Sequence, residues 1–148
     1  MKKILNLFIA LLMGISASMA QESLKEKEVP KPVIEAFKGE HSDVEKVRWE
    51  KYKGRYQAVF SVEKKETTIA YDRTGKLYST QKQVDKTELP TGCESYLNEK
   101  FEKTKILDVL NININDSIVY SVAMKCKKGD YEIFFDKDGK YLKKKSYN

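Results

Sequence analysis

Catalytic raw material is scarce in this chain. Its 148 residues include one His and two Cys, too few for most catalytic triads or for a zinc site built from several nitrogen and sulfur ligands. No Ser, Cys or Lys sits in a recognised nucleophile motif, and there is neither a glycine-rich phosphate loop nor a His-plus-carboxylate metal pattern. Catalysis is therefore not expected, and no cofactor is implied. Seven Gly and three Pro are too few for a collagen-like or low-complexity chain. What is present points to a packed core: 41% hydrophobic residues, with nine Tyr, six Phe and one Trp, suit one folded domain and exclude a disordered chain.

The sustained apolar run lies at the N-terminus. Met1-Lys2-Lys3 gives a short positive start, Ile4 to Ile15 is almost wholly apolar, and Ser18-Met19-Ala20 ends in small residues suited to signal peptidase. Residues 1–20 therefore read as a signal peptide cleaved near Ala20. As a membrane anchor the run falls short of the about 20 apolar residues a bilayer span needs, and polar Gln21-Glu22-Ser23 follows it. The expectation is a periplasmic or secreted protein with no stable membrane insertion after cleavage, and no Cys lies near the cut to carry a lipid. The 28 basic and 22 acidic side chains are interspersed, so the Lys143-Lys144-Lys145 run reads as solvated surface, and nucleic acid is not expected as a partner.

The mature chain repeats itself. A shift of 64 places aligns Phe37 with Phe101, Tyr56 with Tyr120, Ile69 with Ile133, and Tyr71-Asp72-Arg73-Thr74-Gly75-Lys76 with Phe135-Asp136-Lys137-Asp138-Gly139-Lys140. Residues 21–84 and 85–148 thus read as two copies forming one structural unit. Each opens with Pro and apolar residues at helical spacing: Val33, Ile34 and Phe37, then Cys93, Tyr96, Leu97 and Phe101. The first helix is expected to stop near Gly39 and the second near Glu102.

After each helix the period becomes two. Tyr56, Ala58, Phe60 and Val62 alternate with Gln57, Val59, Ser61 and Glu63; Tyr120, Val122, Met124 and Cys126 alternate with Ser121, Ala123, Lys125 and Lys127. Further strands are predicted over 44–51, 67–71 and 76–83, and over 106–114, 131–136 and 140–146. The Asp-x-x-Gly-Lys segments link the last two strands of each copy as hairpin turns, with Gly supplying positive φ. Asp136-Lys137-Asp138-Gly139 starts like a calcium loop, but the later ligands are missing and lysines flank it.

A helix, then Tyr-x-Ala/Val-x-Phe/Met on a strand, then an aromatic-Asp-x-x-Gly-Lys hairpin, all duplicated behind a signal peptide, resembles the PepSY-like, beta-lactamase-inhibitor-like proteins exported by Gram-negative bacteria. The resemblance spans about residues 26–146. It implies an α+β fold, a tandem repeat of helix plus four-stranded antiparallel sheet with the helices packed on one face. It also implies a non-enzymatic exported protein, one whose inhibitor relatives grip an enzyme with a concave sheet. No motif for inhibiting a particular enzyme is recognisable.

Alternation then nominates a binding face. The strand face away from the helices carries Tyr52, Gln57, Val59, Tyr78, Ser121, Glu132, Phe134 and Leu142, a mixture of aromatic, small and hydroxyl side chains unlike a face built only for water. A protein or peptide partner in the cell envelope is the leading expectation. A face that is merely average, or covered in part by residues 22–28, is the alternative. His41 reads as a surface loop residue, and Trp49 as a core anchor or an interface anchor. Cys93 and Cys126 both fall on core faces, leaving two readings open: a disulfide contributing about 3 to 4 kcal/mol, or two buried thiols. A second function class is a carrier of small apolar ligands with a helix–sheet pocket lined by Phe37, Trp49, Phe60, Phe101 and Met124. A third is an envelope structural protein without a discrete ligand.

Overall fold

The computed structural model describes residues 21–147, and the expected signal peptide over residues 1–20 lies outside the described residues. Nine strands make one antiparallel sheet whose spatial order is the sequence order. They are β1 (Glu22–Leu24), β2 (Arg48–Tyr52), β3 (Arg55–Val62), β4 (Lys65–Tyr71), β5 (Leu77–Gln83), β6 (Lys105–Ile114), β7 (Ser117–Cys126), β8 (Gly129–Asp136) and β9 (Tyr141–Ser146). Two short helices, α1 (Lys31–Glu40) and α2 (Cys93–Lys100), pack on one face.

This architecture corrects the expected tandem of helix-plus-four-strand units. β5 pairs with β6 from Ser79↔Ile114 to Gln83↔Leu110, so the chain on either side of residues 84/85 belongs to one uninterrupted, mostly β sheet. An unjoined β5 or β6 would expose a row of unpaired N–H and C=O groups, and pairing them removes two edges at once. β1 was not foreseen: Glu22, Ser23 and Leu24 pair with Lys51, Glu50 and Trp49. Residues 44–47, expected as strand, do not join β2, and α2 ends at Lys100, before the expected stop.

The helices cover two separate cores. Val33 and Phe37 of α1 pack on Trp49, Ala58, Phe60, Ile69 and Tyr71, with the Phe37 ring 5.4 Å from both Trp49 and Phe60. Trp49 is thus a core residue. Cys93 and Leu97 of α2 pack on Val109, Val122, Met124, Ile133 and Phe135. His41 is not a free loop residue: its N–H caps α1 by donating to the Phe37 carbonyl at 2.9 Å, and its ring stacks on Phe37 at 5.2 Å.

The Asp-x-x-Gly-Lys turns fasten the helices to the sheet. Asp72 Oδ1 accepts from the backbone N–H of Thr74 and Lys76, and Asp136 Oδ1 from those of Asp138 and Lys140. Gly75 and Gly139 take φ of 84° and 83°, and each lies against the start of a helix; a Cβ there would come within 2.4 Å of the Pro32 carbonyl oxygen and 2.8 Å of that of Thr91. Glycine is needed for conformation and for space alike.

Cys93 and Cys126 are both free thiols in this structure, which corrects the disulfide reading. Cys93 lies against Gly139, past the Phe135 end of β8, whereas Cys126 pairs with Gly129 at the opposite end of that strand. The intervening strand length is about 20 Å, far beyond disulfide reach. Burial pushes the Cys93 thiol up to about 11, as expected of an inert core cysteine.

Candidate functional site

The sheet face away from the helices brings the nominated residues together in two groups rather than one. Tyr52, Gln57 and Val59 share β2 and β3, where Gln57 faces Glu50, Val59 faces Arg48, and Tyr52 faces Arg55. Ser121, Glu132 and Phe134 share β7 and β8, with Ser121 opposite Phe134. Four strand spacings, roughly 19 Å along the sheet, separate β3 from β7. Tyr78 and Leu142 sit at register shifts, where β5 and β9 bulge against Ala70/Tyr71 and Phe134/Phe135.

Most of this face is closed over by its own side chains, contrary to the expectation of an exposed surface. Gln57, Ser121 and Phe134 are each 1% exposed and Glu132 is 0% exposed; Val59 and Tyr52 are also buried. No helix covers them among the described residues. Tyr147 does so in the β7–β8 group: it packs on Leu110, Ile112 and Ala123, and its hydroxyl donates to Glu132 Oε2 at 2.6 Å. The Ser121 hydroxyl donates to Glu132 Oε1, and Lys143 Nζ lies 4.8 Å from the Phe134 ring centre. In the β2–β3 group the Arg48 Nε donates to Glu50 Oε1 at 2.7 Å, and the Gln21 amide donates to Glu50 Oε2. The Arg55 guanidinium stacks 3.5 Å from the Tyr78 ring centre. Leu142, at 48% exposure, and half-buried Tyr78 remain the accessible nominees.

Electrostatics follow burial. Desolvation raises the Glu132 carboxyl above the usual range, opposed by hydrogen bonds from Ser121 and Tyr147 and by Lys145 and Lys143. Burial and the bond to Glu132 raise the Tyr147 phenol. Asp108 is raised by burial as well, against the pull of the Gln83 amide, which donates to its Oδ1 at 2.8 Å. Gln57 Oε1 is buried without a hydrogen-bond partner among the described residues.

Sequence reasoning missed Leu110, Ile112 and Tyr147, which form the apolar centre of this face. The signal was present in β6, where Leu110, Ile112 and Ile114 alternate with Asn111 and Asn113. Leu107, the extra residue at the Ile106/Asp108 register shift, reverses the parity and hid it.

The carrier pocket is not assembled. Phe37, Trp49 and Phe60 fill the core under α1, while Phe101 and Met124 belong to the core under α2. A cleft of about 470 Å³ does open on the helix side beside His41, Phe60, Ile69, Leu77 and Lys82. No group of three or more His, Cys, Asp or Glu among the described residues could hold a metal ion, and no described helix is long and apolar enough to cross a membrane.

A nine-stranded antiparallel meander with two helices on one face defines the fold class. Solved structures from Bacteroides share it. A DUF2874 family protein from Bacteroides uniformis superposes with a TM-score of 0.72 at 16% identity, over 80% of this chain and 89% of its own. A proposed periplasmic protein from Bacteroides eggerthii gives 0.72 at 17% identity, over 81% and 93%. A BLIP-like protein from Bacteroides fragilis gives 0.67 at 15% identity, over 80% and 86%. At such identities the likeness is one of fold. No family model matches the chain, and no curated protein matches it.

Proposed function

We propose that this is an exported, periplasmic, non-catalytic protein that binds a protein or peptide partner on the sheet face opposite its helices. One observation carries the reading: no described helix covers that face, yet its centre is already dry and fixed by its own hydrogen bonds. A partner arriving there finds few unpaired polar groups to desolvate and few side chains to order, two of the costs that offset association. Tyr78 stacked on Arg55, and Leu142 on the far strand, are the anchors within reach. The apolar N-terminal run, the fold shared with proteins described as periplasmic and BLIP-like, and the sequence resemblance to inhibitor-like exported proteins support the same reading.

Phe134 is too deeply packed to serve as a probe, so the test replaces exposed side chains. Envelope extract is passed over immobilised protein and over a Tyr78→Ser/Leu142→Ser variant of matched thermal stability. Partner capture is expected to fall about tenfold or more in the variant, the loss of two anchors that together contribute about 1.4 kcal/mol or more. Equal capture by both proteins rejects this face.

A further inference from the structure

The two edges of the sheet are built differently. β1 is three residues long, whereas β9 runs for six residues, Tyr141–Ser146, every one of them exposed. In an antiparallel edge strand alternate residues aim N–H and C=O groups away from the sheet, so the outer side of β9 over Tyr141–Lys145 offers backbone donors and acceptors for about 16 Å. Its side chains are as distinctive. Lys143, Lys144 and Lys145 follow one another, with Lys140 just before the strand. None of the three takes part in a salt bridge among the described residues. Instead each lies over an aromatic ring: Lys143 over Phe134 at 4.8 Å, Lys144 over Tyr131 at 5.6 Å, and Lys145 over Tyr147 at 5.5 Å. The carboxylate that faces Lys143 and Lys145 is Glu132, which is wholly buried and already bonded to Ser121 and Tyr147.

We propose that β9 is a docking edge for an extended acidic peptide segment, which adds to the sheet as a further strand with carboxylates at alternate positions facing Lys143 and Lys145. Lysines on an edge strand repel basic edges and resist desolvation against neutral ones, and so prevent indiscriminate pairing. The same lysines attract a strand of opposite charge, and the free backbone groups then fix it in register. The rings beneath the ammonium groups hold them out of random motion while leaving their charge unpaired. This site uses the backbone edge of β9, the strand that also carries Leu142, and Tyr78 on β5 has no part in it.

The probe is a fluorescent synthetic peptide matched in length to β9, alternating Glu with Thr, titrated with the purified protein and followed by anisotropy. Binding is expected to weaken with added salt and to fall about tenfold or more in a Lys143→Glu/Lys145→Glu variant. A peptide of identical charge but N-methylated at alternate residues, which cannot pair as a strand, is expected to lose binding against the unaltered protein, whatever the variant does. Tyr78→Ser is expected to leave binding unchanged, so that failure of the face and failure of the edge are told apart. Absence of binding by the acidic peptide at millimolar concentration, or equal binding by its N-methylated form, overturns the proposal.

Discussion

A carboxyl group at 0% exposure has either to give up its charge or to be surrounded by donors, and Glu132 does part of each. Its carboxyl is raised chiefly by desolvation, so the folded state binds the proton more tightly than the unfolded chain. The resulting stabilisation is complete below the unfolded carboxylate pKa and is lost as pH rises through the folded value. Asp72 and Asp136 act in the opposite sense: hydrogen bonds, from Thr74 to the first and from Lys140 to the second, hold their carboxyls low, so their contribution is lost on acidification. Replacing Glu132→Gln is therefore expected to raise stability relative to wild type more at about pH 8 than at about pH 4, read from urea midpoints at the two pH values. An advantage independent of pH would mean that packing, not charge, separates the two side chains. The alternation of β8 was enough to place Glu132 on the face away from the helices. Its burial was not legible, because the side chain that seals it, Tyr147, lies 15 positions along the chain and across a strand.

The strands were the readable elements, because a change of period from helical spacing to two marks each of them, and the Asp-x-x-Gly-Lys turns announced their hairpins. The connection between β3 and β4 did not. Glu63 and Lys64 both adopt positive φ, at 50° and 66°, in a two-residue turn normally reserved for Asn and Gly. Each L residue with a Cβ costs about 1–2 kcal/mol in that conformation, so Glu63→Asn/Lys64→Gly is expected to stabilise the protein by about that amount, seen as a higher denaturant midpoint with an unchanged slope. Asn115-Asp116, with φ of 49° and 66° between β6 and β7, is the better-suited version of the same turn. Bulges were the other hidden feature. Each register shift, at Ala70/Tyr71, Ile106/Asp108 and Phe134/Phe135, breaks the alternation on which face assignment depends, and nothing in composition marks where an extra residue will be absorbed.

At the scale of the molecule, the pairing of β5 with β6 makes the two helix-covered cores parts of one sheet. They are expected to unfold together. Trp49, the single Trp, reports on the core under α1, and Cys93, fully buried, becomes reactive when the core under α2 opens. Tryptophan fluorescence and thiol labelling should give the same urea midpoint; two separated midpoints would show that the β5–β6 seam is weaker than either core. The repeat already led to the expectation that the two copies form one unit; β1 and the register of the β5–β6 seam were beyond the sequence, since a repeat shows what is copied and not how the copies meet. The strict order of the strands carries a kinetic consequence. Except for β1 with β2 and β5 with β6, whose connections include a helix, neighbouring strands are joined by tight reversals, so each such pairing closes a shorter loop than a crossover connection would. A chain delivered N-terminus first always finds its template strand already in place, and each growing edge stays open only until the next strand arrives, ending with β9.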